Sequence, residues 1–392
     1  MSLPWSSRGP TSNLVAAVCS DEDYCVFEFE LKIKMNAKYY PLIKLGRWAS
    51  LMKRRITLPV KLFTSGFLRT ESYYPEFPQK SKLRMALEQL GHIWRYGSIE
   101  QYYFSYGLDI KGLRDKNDYL DDGWFLWKCA MLNTVLTDHD YTCILRDKEL
   151  FATLLTEWGF DTPHTVACVR TPEEAATVTD MLFERGGCFF CKPLDGQCGG
   201  GVFRLDTAVE TDRASVQEKL SQGVYLVQTC VVQHPEMARI YDNSVNTLRI
   251  LTVMDKEAGK PVSVAGEVRF GAHGSVVDNL AAGGVAVGID LQTGQLSEFG
   301  ICKKGGAKRT PVHPDSQVRF AEVHFPFVQE AVDMALKLHA KLPFIWVVGW
   351  DIAITPDGPI FIEGNDNPEI SGLQTVNGGL RIALKKILRQ DF

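Results

Sequence analysis

The chain has 392 residues, with 43 lysines and arginines against 47 aspartates and glutamates, which gives a formal net charge of −4. Hydrophobic residues make up 45% and charged residues 23%, an ordinary balance for a folded protein of two or three domains. This composition excludes a strongly basic nucleic-acid-binding surface. No apolar run approaches the roughly 18 residues of a membrane span.

The N-terminal segment and the cysteines favour a cytoplasmic protein. The first residues, MSLPWSSRGPTSNLVAAVCSDEDY, lack the basic segment and the long apolar core of an export signal. The ten cysteines are scattered, without the short, regular spacing of a disulfide framework or a zinc site. Cys188 and Cys191 form a CxxC pattern, but they are predicted to lie in a strand, where residues three apart point to opposite faces. We therefore expect a reducing environment and no redox pair at that position.

Residues 1–140 are predicted to form a mostly helical region. Two amphipathic helices are clear, Ser81–Tyr96 and one within Asn117–Thr137, and an alternating stretch, Tyr24–Met35, suggests a strand before them. Apolar residues at near-helical spacing with a basic end also predict a helix over Tyr39–Arg55. The basic face of that helix is either solvated or lies on a membrane surface, and the first alternative is the simpler one.

From Tyr141 the pattern changes to alternating helices and strands. A helix is predicted over Glu149–Trp158, with Asp147 as its N-cap and Gly159 at its end. The elements that follow are predicted as a strand, a helix and a strand, over Pro163–Val169, Thr171–Arg185 and Cys188–Lys192. This order indicates a compact α/β unit.

A glycine-rich turn, Pro193–Gly201, separates the last of these strands from the next, Val202–Leu205. Closely spaced glycines expose backbone N–H groups and allow positive φ angles, which suits a loop that lies over phosphates. Lys192 comes directly before the turn and would offer a cation to the same phosphates. The alternative is a plain hairpin turn, and the pattern is not a Walker A loop.

An apolar run, Val224–Val232, is interrupted by a single amide, Gln228. That side chain is either a satisfied core amide or a group that binds an adenine edge together with the neighbouring backbone. Glu236 follows closely and would accept hydrogen bonds from ribose hydroxyls. The run therefore marks a candidate nucleotide-binding segment.

Three adjacent antiparallel strands are predicted next, over Asn246–Val253, Val262–Phe270 and Val285–Ile289. Arg249 and Arg269 stand in otherwise apolar strands, where a buried guanidinium needs an anionic partner. The loop between the second and third strands contains Asp278 and Asn279. A turn-rich section follows, and helices are then predicted over Phe327–Lys341 and, at the end of the chain, Leu380–Leu388.

A β-hairpin is predicted where Thr355–Gly358 separates two apolar runs, Phe344–Ile354 and Pro359–Ile362. If the strands pair about Asp357, Ile354 faces Ile360. The same register places Asp351 opposite Glu363, and Asn365 points the same way as Glu363.

Two carboxylates opposed on one sheet face repel each other unless a positive charge lies between them. Mg²⁺ takes oxygen ligands and is usually held by one or two carboxylates together with nucleotide phosphates. Asp351, Glu363 and Asn365 are therefore candidate magnesium ligands. The alternative is a solvated face whose carboxylates pair with distant lysines or arginines.

Five motifs, in this order, resemble the ATP-grasp superfamily and most closely its sugar-transfer-associated subgroup. They are LRDKELF (145–151), FCKPLDGQCGGGVF (190–203), VNTLRI (245–250), VDNLAAGG (277–284) and GWDIAITPDGPIFIEGN (349–365). The resemblance implies an α+β fold in which two subdomains clasp ATP. The first would be residues 141–227 with the glycine-rich loop, and the second residues 228–392 with the metal site.

The resemblance also implies roles for individual residues. Those that would contact ATP are Lys148, Lys192, Gly199, Gly200, Gly201, Gln228, Val231 and Glu236. The implied metal ligands are Asp351, Glu363 and Asn365, and the residues implied to stabilise the transferring group are Arg249, Arg269 and Asn279. Many relatives have an acidic residue at the position of Gln228, and the chain departs from them there.

The activity that the resemblance implies is an ATP- and Mg²⁺-dependent carboxylate–amine ligase, with Mn²⁺ as a substitute metal. It would form an amide bond through an acyl phosphate and release ADP and phosphate, in natural-product or polysaccharide-modifying biosynthesis with an amino acid as one substrate. The alternatives are a small-molecule kinase and a non-catalytic nucleotide-binding partner of a sugar-transfer system. Expected partners are small molecules and a second copy in a homodimer, without nucleic acid and without a transmembrane segment.

Overall fold

The structure is a computed structural model, which describes residues 40–135, 140–194, 201–255, 257–302 and 308–389. In these residues two antiparallel sheets follow a region made mainly of helices. The predicted α+β class and the predicted helical N-terminal region are both confirmed. The predicted strand Tyr24–Met35 lies outside the described residues. Within the described ranges, no helix is both long enough and apolar enough to cross a bilayer.

The described part of the N-terminal region contains three α-helices: α1 (Tyr40–Thr64), α2 (Lys82–Tyr96) and α3 (Asp122–Ala130), which continues into a π-helical turn at Met131–Val135. The Ser81 hydroxyl caps α2 by accepting from a backbone N–H in its first turn, and Asp121 caps α3 in the same way. Helix α1 runs past its predicted end, and α3 lies within the predicted range Asn117–Thr137, with Asp121 fixing its start.

The first sheet and its helices follow. The helices are α4 (Cys143–Arg146), α5 (Lys148–Glu157), α6 (Pro172–Arg185) and α7 (Arg213–Ser221). The strands are β1 (Thr165–Val169), β2 (Cys188–Pro193), β3 (Phe203–Asp206) and β4 (Tyr225–Thr229), in the spatial order β1-β4-β2-β3. Asp147 caps α5 as predicted, by accepting from two backbone N–H groups. Helix α7 was not predicted.

The second sheet has seven strands. They are β5 (Thr247–Asp255), β6 (Lys260–Phe270), β7 (Val285–Ile289), β8 (Leu296–Cys302), β9 (Lys308–Thr310), β10 (Val347–Thr355) and β11 (Gly358–Asn365), in the order β11-β10-β5-β6-β7-β8-β9. The helices of this half are α8 (Pro235–Ala238), α9 (Val328–Ala340), α10 (Ser371–Asn377) and α11 (Arg381–Leu388). The section between β7 and α9, predicted only to be rich in turns, also contains β8 and β9, which were not predicted.

The hairpin β10–β11 pairs the predicted acids through a register that differs from the predicted one. Near the turn Ile354 lies opposite Pro359, not opposite Ile360. A bulge beyond Ile352 then shifts the ladder by one residue and brings Asp351 opposite Glu363. The predicted pairing of the two acids is therefore confirmed, and the predicted pairing of the two isoleucines is wrong.

The central strands separate an apolar face from a charged face. Ile250, Ile352 and Phe361 are fully buried in a core that also contains the inner side of α9. Arg249 and Asp351 lie between these residues along the strands and therefore point to the other face. The candidate site is built on that second face.

A disulfide joins Cys188 at the start of β2 to Cys230 directly after β4. The scattered spacing of the cysteines gave no sign of this bond, because the two residues are 42 positions apart. Cys191 is a buried free thiol, so the CxxC pair does not form, as predicted.

Candidate functional site

Two acids and an amide converge on the hairpin β10–β11. Asp351 and Glu363 occupy paired positions on the two strands. The Asn365 side chain donates from Nδ2 to Glu363 Oε1 at 3.3 Å. Asp351 is only 2% exposed, so this cluster lies at the base of the charged face.

Both predicted arginines reach Asp351. Arg249, directly across from it on β5, donates from Nη2 to Asp351 Oδ2 at 2.9 Å and also bonds through Nε. Arg269 Nη2 lies 2.7 Å from Asp351 Oδ1. Burial raises the pKa of Asp351, but the two guanidinium charges outweigh it and hold that pKa well below its usual value. The prediction that these arginines have an anionic partner is confirmed.

Lys192 on β2 faces the same acids from the first sheet. Burial lowers the pKa of its ammonium group, and the charges of Glu363 and Asp351 oppose that shift. Burial and the charge of Asp351 raise the pKa of Glu363. The site therefore combines Asp351, whose pKa is held low by two arginines, a neighbouring carboxyl whose pKa is raised, and a half-buried ammonium group.

Lys148 lies at the entry to the glycine-rich turn. Its Nζ donates to the carbonyl oxygens of Pro193 and Leu194 at 3.0 and 3.1 Å. Its charge also acts on Lys192, so the two cations lie close together. Gly201 adopts a φ of 73°, which a side chain would disfavour. Gly199 and Gly200 lie outside the described residues.

The hinge between the sheets contains the predicted adenine contacts. Gln228 is 3% exposed and donates from Nε2 to the Pro163 carbonyl at 3.1 Å. Its side chain thus holds the chain before β1, as expected of a core amide. Glu236 is half-exposed and pairs with Arg239 at 2.9 Å.

A cavity of about 380 Å³ opens at this hinge. It is lined by Thr162, Pro163, His164, Thr229, Cys230, Val231, Val232, Thr355, Pro356, Asp357 and Ile360. Ile360 pairs with Ala353, which lies two residues from Asp351 and so on the same face of the sheet. The cavity and the acid cluster therefore share one face.

The loop before β7 is fixed to the site by its backbone and by Asp278. The carbonyl oxygen of Asn279 accepts from the N–H groups of Ala282 and Gly284, both at 3.0 Å. Asp278 accepts from the Thr247 N–H at 3.1 Å, and its Oδ2 lies 3.8 Å from Arg269 Nε. Asp278 thus helps to position Arg269. The sequence pointed to Arg269 as a site residue but did not show that Asp278 lies beside it.

Glu267 is a site residue that sequence analysis missed. It lies opposite Arg249 on β6, on the charged face, and is 5% exposed. Within the described part of the chain, its Oε2 is buried without a hydrogen-bond partner, and burial raises its pKa to about 7. The only available sequence signal was its position two residues before Arg269.

The N-terminal region packs beside the site on the segment after β11. Tyr102 donates from its hydroxyl to Glu369 Oε1 at 2.9 Å. Asp122 accepts from the Ile370 N–H at 2.9 Å. These contacts join residues about 250 positions apart, and no local pattern in the sequence predicts them.

The donor set fits magnesium. Asp351 and Glu363 occupy paired positions on β10 and β11, where two negative charges side by side repel each other. A divalent cation would relieve that repulsion, and carboxylate and amide oxygens are the hard donors that Mg²⁺ prefers. Asn365 would add an amide oxygen.

Lys192 on the first sheet faces the acids on the second, with Lys148 of α5 close to it, as expected for the ATP-grasp class. The sequence profile of the family described as Sugar-transfer associated ATP-grasp matches residues 131–389. The chain belongs to this family. No curated protein matches the sequence.

The chain is also similar to several solved structures. D-alanyl-alanine synthetase A from Vibrio cholerae is 10% identical, with a TM-score of 0.40 and coverage of 64% of both chains. D-alanine–D-alanine ligase from Bacillus anthracis, complexed with ATP, is 12% identical, with a TM-score of 0.35 and coverage of 62% of this chain and 61% of the other. Biotin carboxylase from Campylobacter jejuni is 11% identical, with a TM-score of 0.39 and coverage of 62% and 46%. The chain thus spans between about half and two thirds of these structures.

Proposed function

We propose that the protein is an ATP- and Mg²⁺-dependent carboxylate–amine ligase. Membership of an ATP-grasp family supports an ATP-dependent ligase. The observation that carries the finer proposal is the cluster of Asp351, Glu363 and Asn365, which faces Lys192 and is bordered by two arginines. This arrangement suits a reaction that transfers a phosphoryl group within a cleft.

The nucleotide would extend along the charged face. Adenine would occupy the hinge cavity beside Val231, with Gln228 supporting the wall and Glu236 near the ribose. From Thr355 in the cavity wall to Asp351 is four residues of strand, or about 13 Å, a span that a ribose and an extended triphosphate together can bridge. The phosphates would then meet Lys148, Lys192 and the glycine-rich loop.

Asp351, Glu363 and Asn365 would hold Mg²⁺, with Mn²⁺ as a substitute. The ion would supply positive charge for the phosphate oxygens and the leaving ADP. The residues of the chain fix its position, because the hairpin register and the Asn365 amide orient the two carboxyl groups.

The reaction would take place in two displacements. A carboxylate oxygen of the first substrate attacks the γ-phosphorus of ATP, the bond to the bridging oxygen breaks, and ADP leaves with that electron pair. The nitrogen of an amine then attacks the acyl carbon, phosphate leaves, and the amine loses a proton. Arg249 and Arg269, with Asn279 near them, would stabilise the acyl phosphate and orient both substrates.

Carboxyl groups beyond the arginines favour an amine as the second substrate. Glu267 carries a buried oxygen without a hydrogen-bond partner among the described residues. Its charge interacts with that of Glu369, which the N-terminal region contacts through Tyr102. A protonated amine approaching from this side would be attracted, and a second carboxylate would be repelled. The N-terminal region would then complete the acceptor side of the site.

Hydroxylamine trapping tests the proposal. The full chain, ATP and Mg²⁺ are incubated with a panel of amino acids and other carboxylic acids, with hydroxylamine in place of the natural amine. We expect ADP and a hydroxamate from at least one acid, and neither product from Lys192→Met or Glu363→Gln. A kinase acting on a hydroxyl group would release ADP without forming a hydroxamate, and a purely binding protein would release no ADP.

The biological setting is a further part of this proposal. The family description refers to sugar transfer, which supports polysaccharide-modifying or natural-product biosynthesis with an amino acid as one substrate. A homodimer is the proposed assembly. Size-exclusion chromatography with light scattering measures its mass, and a monomer at micromolar concentration would contradict it.

A further inference from the structure

Helix α1 exposes a stripe of large apolar side chains. Trp48, Ile56, Val60 and Phe63 are between 57% and 76% exposed. At 3.6 residues per turn they fall within an arc of about 120°. Leu62, which is fully buried, lies about 40° outside this arc. The helix therefore packs on the protein with one side and presents apolar side chains to solvent with another.

Helix α2 adds a second stripe. Leu83, Leu87 and Trp94 are between 60% and 71% exposed and fall within an arc of about 40°. The two stripes meet at Arg55 of α1, which donates from Nε to the Trp94 carbonyl at 2.7 Å. The Arg55 guanidinium also lies 4.8 Å from the centre of the Trp94 ring. We call the two stripes together the N-terminal apolar face.

This face differs from the rest of the described surface. The other large apolar side chains that are exposed are Phe77, Leu150, Val209, Val232, Val276 and Ile382. They lie far apart along the chain and belong to different elements, whereas the seven residues of the N-terminal apolar face occupy two packed helices. Scattered single residues are normal on a protein surface, but a contiguous group marks an interaction site.

The charges around the face select the kind of partner. Helix α1, YPLIKLGRWASLMKRRITLPVKLFT, contains six lysines and arginines and no aspartate or glutamate. On the helical wheel Lys53 borders the apolar arc on one side and Arg55 on the other. An apolar arc between basic borders is typical of helices that lie in the interface of a membrane with anionic lipids. A second copy of the same face would instead bring like charges together.

We propose that the N-terminal apolar face lies on the surface of a bilayer that contains anionic lipids, with α1 parallel to the membrane plane. The apolar side chains enter the boundary between headgroups and acyl chains, and the lysines and arginines contact lipid phosphates. Helix α1 does not span the bilayer, in keeping with its six basic residues. The proposal is independent of the ligase activity, because it uses none of the residues of the cleft.

Vesicle sedimentation tests this proposal. The full chain is mixed with vesicles of phosphatidylcholine that contain about one third phosphatidylglycerol, and with vesicles of phosphatidylcholine alone. We expect it to sediment with the anionic vesicles and to be released as salt is raised. The double variant Ile56→Ser with Phe63→Ser should bind more than tenfold more weakly. Lys53→Gln should weaken binding about fivefold.

Val209→Ser is the matched control, because Val209 is 80% exposed but lies outside the face. It should bind vesicles as the unchanged protein does. Thermal unfolding verifies that each variant is folded, which is expected because every substituted side chain is exposed. Equal sedimentation of the double variant and the unchanged protein would overturn the proposal. Failure of the unchanged protein to sediment with anionic vesicles would overturn it as well. In that case, a dimer that the double variant disrupts would show that the face binds a second copy instead.

Discussion

The two faces of the second sheet use the same strands for opposite purposes. On one face Ile250, Ile352 and Phe361 are fully buried in an apolar core. On the other, Arg249, Asp351 and Glu363 stand on those same strands, and Arg249 and Asp351 are buried as charges. One face contributes to stability through burial of apolar area. The other carries groups whose burial costs free energy unless each charge is paired.

The comparison indicates that the charged face is arranged for chemistry. A face that served only to stabilise the sheet would not need a guanidinium and a carboxylate at adjacent positions of β5 and β10, because apolar residues of similar size are usually at least as stabilising. Substitutions on the two faces should therefore have different consequences.

Asp351→Asn should have the largest effect on stability. It removes the carboxylate that pairs with both buried arginines, Arg249 and Arg269, so we expect the free energy of unfolding to fall by about 3–5 kcal/mol. Denaturant unfolding followed by circular dichroism measures this change. Asp357→Asn in the exposed turn of the same hairpin is the matched control and should change little. If the two variants unfold alike, the arginines do not depend on Asp351.

Glu267→Gln tests the charged face through pH. Burial raises the pKa of Glu267 from 4.5 to about 7, so its contribution to the free energy of unfolding is fully present below pH 4.5 and is lost as pH rises through about 7. The variant should gain stability relative to the unchanged protein, by up to about 3 kcal/mol at pH 8. Thermal unfolding from pH 4.5 to 8, without nucleotide or metal, measures the difference. A constant difference across this range would contradict the prediction.

Ile352→Val makes a small change on the apolar face, next to Asp351. Removing one buried methylene group should lower the free energy of unfolding by about 1 kcal/mol. Nucleotide affinity should remain unchanged, because the side chain points into the core. Calorimetric titration with ATP measures that affinity. A tenfold loss of affinity would mean that the two faces are not separable.

Much of this architecture was predictable from local patterns. The capped helices α2 and α5, the strand β7 and the turn of the hairpin all have short-range signals in the sequence. Strand β8 (LSEFGIC) was missed because its mixed pattern lacks a continuous apolar run. The bulge in the hairpin was missed because the local sequence does not determine which residue of β11 is left unpaired; in the structure it is Ile362.

The candidate site was predictable only in part, for a related reason. Asp351, Glu363 and the two arginines stand out as charges in apolar strands, so single-strand patterns identify them. Glu267, Asp278 and Tyr102 were recognised only from their contacts, which join distant segments of the chain. The disulfide between Cys188 and Cys230 depends on the same kind of long-range pairing.

The central claim is that Asp351, Glu363 and Asn365 bind the metal that accompanies ATP. Calorimetric titration of ATP into the protein, with and without Mg²⁺, tests it most directly. Glu363→Gln is compared with Glu298→Gln, an exposed acid on β8. We predict that Mg²⁺ tightens ATP binding at least tenfold in the unchanged protein and in Glu298→Gln, and that Glu363→Gln loses this dependence. Equal Mg²⁺-dependence in all three proteins would contradict the claim.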